Sequence, residues 1–593
     1  MRYSTPRISI LRYPCSSGEL QVGRRIRSHL IASNTQNPIP LRQASSTTRL
    51  KHLLPDHPAR TRFAPSPTGN LHLGSIRTAL FNYLLAKRTN GQFLLRIEDT
   101  DQKRTRPGAE EQLCKDLQWA GLQWDEGPAV GGPYGPYRQS ERTGIYRDHA
   151  ARLLKSKHAY RCFCSSERLD TLNRSRHEKG LPLGYDRNCA HVPLQESNNR
   201  ANRGEGHVVR LRTPDKYPPW HDFVYGNTGK GGNESRKTLI DDPVYDDPIM
   251  IKSDGHPTYH LANVVDDHLM EITHVVRGSE WMSSTPMHLA LYKAFGWDAP
   301  VFGHVPLLVD QNNQKLSKRN FDTDISVFRD KQGIFADALV NFAVLLGWSH
   351  QQKSDLLPLS RLEEVFDLKF TKGNTIVSFT KLQFLQERYA RRYIAEGGEQ
   401  FQLMTEKVCR SLREMCDEKD LSTTVGSRDL EGVVGHMLRA DWKAYTTAAA
   451  FTRRCSNFFK PLQEFRSYEM LSTDFPLSAL RVAAASFLLI PDQLWTAAVH
   501  RENIAAVKPP GVRIGAESDQ AAEEMKAWKK EIYHFLRWSL MGGASGPPLP
   551  DLMEILGRDV CSERINGAIR KTLEQEQAGP VEKPSIGILA AAA

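Results

Sequence analysis

The sequence lacks any long apolar stretch. A membrane-spanning helix needs about 18 to 20 consecutive apolar residues, and the nearest candidate, ALVNFAVLLGW at 338–348, falls well short of that. Hydrophobic residues make up 40% of the 593 residues and charged residues 25%, a balance typical of globular proteins. Because this length exceeds a single hydrophobic core, we expect several domains, and no membrane partner.

Acidic residues are nearly absent from the first 51 positions. That segment contains eight arginines and Lys51 against Glu19, a net charge of +8, so only +3 of the total +11 belongs to the other 542 residues. It is also rich in serine and has no continuous apolar centre. These features predict a mitochondrial transit peptide over 1–52 and a protein of the mitochondrial matrix. The alternative is a disordered basic tail.

Cysteine is scarce as well. Nine cysteines, an odd number, argue against a disulfide-stapled secreted protein. Six of them have no metal-ligand spacing and are predicted to be free thiols, namely Cys15, Cys114, Cys409, Cys416, Cys455 and Cys561.

The other three cysteines are clustered with a histidine. YRCFCSSERLD (160–170) and DRNCAHVP (186–193) contain two close pairs, Cys162 with Cys164 and Cys189 with His191. Three thiols and one imidazole suit tetrahedral zinc. Only one residue separates the members of each pair, fewer than in common zinc fingers, so unliganded structural thiols are the alternative. A zinc ion here would be structural.

A turn rich in proline and glycine occurs near position 60. RTRFAPSPTGNLHLGSIRT predicts a strand that ends near Ala64, a turn over 65–69 and a helix from Ser75, followed after Gly91 by the strand QFLLRIED. In such units phosphate binds at the helix amino terminus. The single histidine of the turn, His72, could donate a hydrogen bond to a phosphate oxygen.

A second polar segment, QKLSKRN at 314–320, has two lysines around a serine. Together HLGS and KLSKR resemble the two signatures of class I aminoacyl-tRNA synthetases. Longer segments resemble glutamyl-tRNA synthetase of the bacterial and organellar type: RFAPSPTGNLHLGSIRTALFNYLLAKRTNGQFLLRIEDTD, GGPYGPYRQSER, DGHPTYHLANVVDDHLMEITHVVRGSEW and GPPLPDLMEILGRD. The departures are Ser75 for the second histidine of the first signature and Leu316 for methionine in the second.

The resemblance implies a site for L-glutamate, ATP and the acceptor end of tRNA-Glu. Residues that would bind glutamate are Arg62, Ala64, Ser66, Glu98, Tyr259, Asn263 and Arg277. Residues that would bind ATP are His72, Gly74, Glu280, Lys315, Leu316, Ser317, Lys318 and Arg319. His72, Lys315 and Lys318 would be catalytic through positioning and charge neutralisation, since no protein nucleophile is needed. Mg²⁺ is expected on the ATP, although no dedicated carboxylate cage is evident.

The implied fold class is α/β. We expect a Rossmann-type catalytic domain in two halves (58–157 and 251–330), with an inserted α+β acceptor-stem domain (158–250) between them. A helical stem-contact domain (331–425) and an all-helical anticodon-binding domain (426–593) would follow.

Three other functions are alternatives. A glutaminyl-tRNA synthetase has a β-rich C-terminal half, and a tRNA-modifying glutamyl enzyme lacks the long C-terminal region. A catalytically inactive, synthetase-like RNA-binding protein is the alternative from another class. Charging of tRNA-Gln in addition to tRNA-Glu and a monomeric state are further expectations.

Overall fold

The computed structural model describes residues 54–229, 233–234, 236–237, 244–316, 324–460, 466–510 and 519–577. The predicted transit peptide and Cys15 lie outside these residues. In the described part of the chain, no helix is both long enough and apolar enough to cross a membrane.

The first described region forms the predicted strand, turn, helix and strand. Its elements are β1 (Arg60–Phe63), α1 (Leu73–Arg88), β2 (Gln92–Leu95), α2 (Ala109–Trp119) and α3 (Thr143–Lys155). β1 and β2 pair in parallel, and α1 packs its apolar face, including Ile76 and Leu80, into the core. The tight return at Gly91 requires glycine, because a Cβ there would overlap the carbonyl oxygen of Ala59.

The next region is a mixture of short strands and helices. Its elements are β3 (Ala159–Cys162), α4 (Ser166–Glu178), α5 (Leu194–Asn202), β4 (Val208–Leu211), β5 (Lys216–Tyr217), β6 (Trp220–Asp222), β7 (Gly226–Thr228), β8 (Asn233–Glu234), β9 (Arg236–Lys237), β10 (Val244–Tyr245) and β11 (Ile249–Ile251). β11, β4 and β3 form an antiparallel sheet. A small separate core contains Tyr160, Cys162, Tyr185 and Cys189.

The chain then returns to parallel pairing. The elements are α6 (Tyr259–Leu269), β12 (His274–Gly278), α7 (Thr285–Phe295), β13 (Val301–Val305), β14 (Leu308–Val309), α8 (Ala336–Leu345), α9 (Leu359–Val365) and β15 (Thr375–Ile376). β13 pairs in parallel with β12 on one side and with β6 on the other. β6 lies within the range predicted for the inserted domain, so part of that range pairs with the strands that follow it.

Every regular element described after β15 is helical. These are α10 (Phe379–Glu396), α11 (Gly398–Met415), α12 (Glu418–Val425), α13 (Leu430–Ala440), α14 (Ala448–Cys455), α15 (Leu477–Phe487), α16 (Ala497–Ala506), α17 (Asp519–Met541), α18 (Leu549–Leu556) and α19 (Arg558–Gln577). Their buried side chains belong to the same large apolar core that contains α1 and α8. The predicted helical C-terminal region is present.

Candidate active site

The carboxyl ends of β1, β2 and β12 and the amino end of α1 surround a cavity of about 1000 Å³. Ligands of open α/β sheets bind at this edge. Twelve predicted site residues line it: Arg62, Ala64, Ser66, His72, Gly74, Glu98, Tyr259, Asn263, Arg277, Glu280, Lys315 and Leu316. The other three, Ser317, Lys318 and Arg319, lie outside the described residues. The structure therefore brings together, in one cavity, residues separated by more than 200 positions in the sequence.

His72 is the N-cap of α1. Its Nδ1 accepts a hydrogen bond from the backbone N–H of Ser75 at 3.2 Å, which satisfies one of the free donors of the first helical turn. In the neutral ring the proton then lies on Nε2, which is 3.1 Å from Ser75 Oγ. A Cβ on Gly74 would lie 3.2 Å from the His72 ring. His72 is exposed, and its Nε2–H lies beside the positive end of a helix, where an anion is favoured.

A buried charge network forms the wall below β1. Asp267 accepts hydrogen bonds from Arg62 Nε at 3.0 Å and from Arg96 Nη1 at 2.7 Å. Arg96 also donates to Glu98 at 3.1 Å. Burial raises the pKa of Glu98 although Arg96 and Arg62 oppose this, whereas the same two guanidinium groups hold the pKa of Asp267 below its usual value despite burial. Arg62 therefore reaches the cavity already paired with a carboxylate.

Asn263 joins the two ends of this network. With its amide oriented so that both ends are satisfied, the oxygen accepts from Arg62 Nη2 at 3.2 Å and Arg96 Nη2 at 3.1 Å, and the nitrogen donates to Asp267 at 3.3 Å. Asn263 is 1% exposed, so its orientation is fixed by these partners.

Arg277 lies across the cavity in a different environment. Its side chain is 4% exposed, and among the described residues no carboxylate lies within ion-pair distance of it. Instead it donates to Tyr259 Oη at 3.3 Å, to Thr285 Oγ1 at 2.8 Å and to two histidine rings. Burial lowers its pKa from the usual arginine value, yet the group stays charged at neutral pH. Arg277 is a buried cation that lacks a directly bound anion.

The wall next to Arg277 is aromatic. The Tyr259 ring lies against that of Trp281, with 4.2 Å between ring centroids, and both residues line the cavity. Burial raises the pKa of the Tyr259 hydroxyl, which therefore remains protonated.

The second predicted signature begins within a hairpin. The backbone N–H of Leu316 donates to the carbonyl of Leu308 at 3.1 Å, and Val309 and Lys315 form an isolated β-bridge. Lys315 is exposed on the rim of the cavity. Arg77, in α1, donates to the carbonyl oxygens of Pro306 at 2.6 Å and Leu346 at 3.1 Å. It thereby ties the first signature helix to the segment that leads into the second signature.

Three of the four predicted zinc ligands form a cluster. The ligand atoms of Cys162, Cys164 and Cys189 all lie within 4.8 Å of one another, and His191 is outside this group. The hydroxyl oxygen of Tyr185 is 3.2 Å from the Cys162 sulfur and 3.5 Å from that of Cys164.

The cluster favours a thiolate. Hydrogen bonds from Cys189, Tyr185 and Arg210 lower the pKa of Cys162 to about 4. Arg168 donates to the Cys164 sulfur at 3.4 Å. Three sulfurs within 4.8 Å of one another, one of them with a lowered thiol pKa, fit three of the four positions of a tetrahedral structural zinc ion.

Sequence reasoning missed several residues of these sites. Asp267 follows Tyr259 and Asn263 at intervals of four on α6, so helical spacing could have found it. Arg96 precedes Glu98 by two residues near the end of a strand, which likewise places both on one face. Tyr185 gave no signal, because rules of ligand spacing rest on cysteine and histidine.

Comparison with known proteins places the chain in a family. The family model "tRNA synthetases class I (E and Q), catalytic domain" matches residues 58–384, and "Anticodon binding domain" matches 511–569. The mitochondrial glutamate–tRNA ligase of Saccharomyces cerevisiae is 47% identical over 364 residues, which are 60% of this chain and 66%, about two thirds, of that protein.

Two further relatives extend over more of the chain. The mitochondrial glutamate–tRNA ligase of Schizosaccharomyces pombe is 37% identical over 85% of this chain and 90% of its own length. The crystal structure of a glutamate tRNA ligase from Elizabethkingia meningosepticum in complex with its amino acid superposes with a TM-score of 0.70, at 30% identity, over 87% of this chain and 99% of that one. These matches confirm the resemblance and the α/β class I fold with its helical C-terminal region. The chain belongs to the glutamate–tRNA ligase family of class I aminoacyl-tRNA synthetases.

Proposed function

We propose that this chain attaches L-glutamate to tRNA-Glu for mitochondrial translation. Glutamate and ATP would first give glutamyl-adenylate and pyrophosphate, and the glutamyl group would then pass to the terminal ribose of the tRNA. Family membership and the cavity support this proposal. The observation that carries it is Arg277, a buried cation in the cavity wall whose bonded partners are all neutral. An anionic amino acid would supply the missing charge.

Glutamate would bind at the end of the cavity nearest α6. Arg277 and Arg62 would hold its carboxylates, since a guanidinium binds a carboxylate through two parallel hydrogen bonds. Glu98 would accept from the ammonium group. Tyr259 and Asn263 would complete the pocket together with Ala64 and Ser66.

ATP would lie over the amino end of α1. The Nε2–H of His72 would donate to a phosphate oxygen, Gly74 would allow close approach, and Lys315 on the rim would face the triphosphate. Glu280 and Leu316 would border the nucleotide, and the remaining signature residues, Ser317, Lys318 and Arg319, are proposed to follow Lys315 in this role.

The chemistry requires no covalent step on the protein. A carboxylate oxygen of glutamate attacks the α-phosphorus and the bond to pyrophosphate breaks; a ribose hydroxyl of the tRNA then attacks the acyl carbon and AMP leaves. The protein would hold the reacting groups in line and stabilise the charge that develops on the leaving pyrophosphate through His72, Lys315 and Lys318. Mg²⁺ bound to ATP would neutralise part of the phosphate charge.

A structural zinc ion is proposed between β3 and the segment at 185–189. Cys162, Cys164 and Cys189 would supply three sulfur ligands. The Tyr185 oxygen lies nearer to them than the predicted fourth ligand, His191, which is exposed. The ion would hold together the small core around Tyr160.

Further features belong to the same proposal. The names of the two yeast relatives and the basic first 51 residues support the mitochondrial matrix. We also propose the domain ranges expected from the sequence, which place α17 to α19 in the anticodon-binding domain. Charging of tRNA-Gln and a monomeric state are proposed as well.

Glutamate-dependent ATP–pyrophosphate exchange in the presence of tRNA-Glu tests the assignment of Arg277. Arg277→Lys replaces the planar guanidinium, whose several donors can bind its protein partners and the ligand at the same time, by a single ammonium group. At about 1.5–3 kcal/mol per hydrogen bond to a charged group, loss of roughly 3 kcal/mol should lower kcat/KM for glutamate about a hundredfold.

The matched control is Arg564→Lys. Arg564 is also buried, lies in α19 and does not line the cavity; among the described residues it donates only to backbone carbonyl groups. The Arg564→Lys variant should have a kcat/KM for glutamate within threefold of that of the unmodified chain. Equal kinetics in the two variants would show that Arg277 does not bind glutamate.

A further inference from the structure

Arg277 is held by a chain of buried imidazole rings. Its Nε donates to His304 Nε2 at 3.0 Å, and its Nη1 to His288 Nδ1 at 3.2 Å. Both histidines are 0% exposed. Because arginine has donors only, both ring nitrogens must accept, so neither carries a proton.

The far side of His304 is fixed by Asp222. His304 Nδ1 donates to Asp222 Oδ2 at 2.6 Å, and the other carboxylate oxygen accepts from the backbone N–H groups of Val224 and Tyr225 at 2.8 and 2.9 Å. The carboxylate is 0% exposed and so has one orientation. Strand register supplies the contact: Arg277 lies opposite His304 in β12 and β13, and β13 pairs with β6, which ends at Asp222.

His288 is oriented from the opposite side. Since its Nδ1 accepts from Arg277, its proton lies on Nε2, which donates to His260 Nδ1 at 3.0 Å. Burial lowers the pKa of His288 far below the usual histidine value, and that of His260 to about 4. Burial also lowers the pKa of His304, against the opposing effect of Asp222. Burial disfavours the protonated form of each ring, in keeping with the neutral acceptors that Arg277 requires.

Arg62 and Arg277, the two arginines proposed to bind glutamate, therefore differ in charge balance. Asp267 bonds Arg62 directly and opposes its charge, although Arg96 shares the same carboxylate. Arg277 bonds the neutral ring of His304, and it is this ring, not Arg277, that bonds the carboxylate of Asp222. The guanidinium is therefore oriented without being neutralised. A directly bonded carboxylate would compete with an anionic ligand.

We propose that His304, held in one tautomer by Asp222, is a positioning residue for Arg277 and that with His288 it makes the pocket select glutamate over glutamine. The inference rests on the proposed function, because it takes Arg277 as the group that binds the side-chain carboxylate of glutamate. An amide in place of that carboxylate can still accept a hydrogen bond from Arg277, but it carries no charge to balance the cation, so the selectivity follows from charge.

Three variants test whether Asp222 and His304 position Arg277. His304→Leu removes the acceptor. His304→Gln keeps an oxygen near the position of Nε2. Asp222→Asn keeps the shape, but the N–H groups of Val224 and Tyr225 still require the oxygen, so the amide nitrogen faces His304 and forces a proton onto Nε2, where it opposes Arg277.

The assay is glutamate-dependent ATP–pyrophosphate exchange with tRNA-Glu. We expect the KM for glutamate to rise at least tenfold in His304→Leu and Asp222→Asn, with the KM for ATP within twofold, and to stay within threefold in His304→Gln. The preference for glutamate over glutamine in kcat/KM should fall at least tenfold in the first two. His500→Leu is the matched control: His500 is 0% exposed, has no hydrogen-bond partner for either ring nitrogen among the described residues, and lies in α16.

Either of two results would overturn the inference: an unchanged KM for glutamate in Asp222→Asn, or equal rises in the KM for glutamate and for ATP. If His304→Leu does not fold, Asp222→Asn and His304→Gln decide alone, since both preserve side-chain volume closely. A wild-type chain without glutamate-dependent exchange would instead overturn the proposed function.

Discussion

Asp267→Asn is predicted to destabilise the buried charge network in the cavity wall. Asp267 is 1% exposed and accepts from Arg62 and Arg96, and Arg96 is itself 0% exposed. Removing one partner of a buried ion pair costs about 3–5 kcal/mol, because the other partner is left uncompensated. At 1.4 kcal/mol for each factor of ten, local opening around Asp267 should become two to four orders of magnitude more frequent.

Hydrogen–deuterium exchange measures this directly. Amides of α6 (Tyr259–Leu269) should exchange about 100- to 10,000-fold faster in Asp267→Asn, within the limit set by global unfolding. The control is Glu396→Gln, which breaks an exposed pair with Arg392 on α10 and should change exchange there by less than about fivefold, since such pairs contribute at most about 1 kcal/mol. Less than tenfold faster exchange in α6 would refute the reasoning.

Three further predictions concern stability and metal. First, burial lowers the pKa values of His274 and His500 to about 4. Between pH 6.5 and 4 the unfolded chain binds protons that the folded chain does not, so the free energy of unfolding should fall by about 1.4 kcal/mol for each histidine with every pH unit that the pH is lowered. A free energy of unfolding that does not change with pH in denaturant titrations would contradict this. Second, Gly91→Ala should destabilise the chain by about 1–3 kcal/mol in thermal melts, because its Cβ overlaps Ala59, whereas Gly144→Ala, in open space on α3, should not. Third, atomic absorption should find about one zinc ion per chain, reduced at least tenfold in Cys189→Ser and unchanged in Cys114→Ser; a zinc-free wild-type chain would refute the zinc proposal.

Many residues that line the cavity could be predicted from the sequence, because they lie in segments that resemble those of a known family. The strand, turn and helix around His72 follow from local patterning alone. The start of α1 was predicted two residues late, at Ser75, because the apolar face begins at Ile76 whereas the cap is His72 itself.

The partners of the cavity residues were less accessible. Asp222 and His304 are 82 positions apart, and only the register of β6, β13 and β12 brings them to Arg277. The sequence predicts one inserted segment over 158–250, whereas in the structure β6 within that range pairs with β13. Such contacts depend on strand order, which periodicity does not encode.

The central claim is tested most directly by aminoacylation. The chain lacking residues 1–51 would be incubated with ATP, radiolabelled glutamate and transcripts of mitochondrial tRNA-Glu or tRNA-Gln. The account predicts ATP-dependent, acid-precipitable glutamate on tRNA-Glu and on tRNA-Gln; label on tRNA-Glu alone would overturn only the proposed charging of tRNA-Gln. Absence of label on both transcripts from a folded chain would contradict it and would favour an inactive, RNA-binding member of the family.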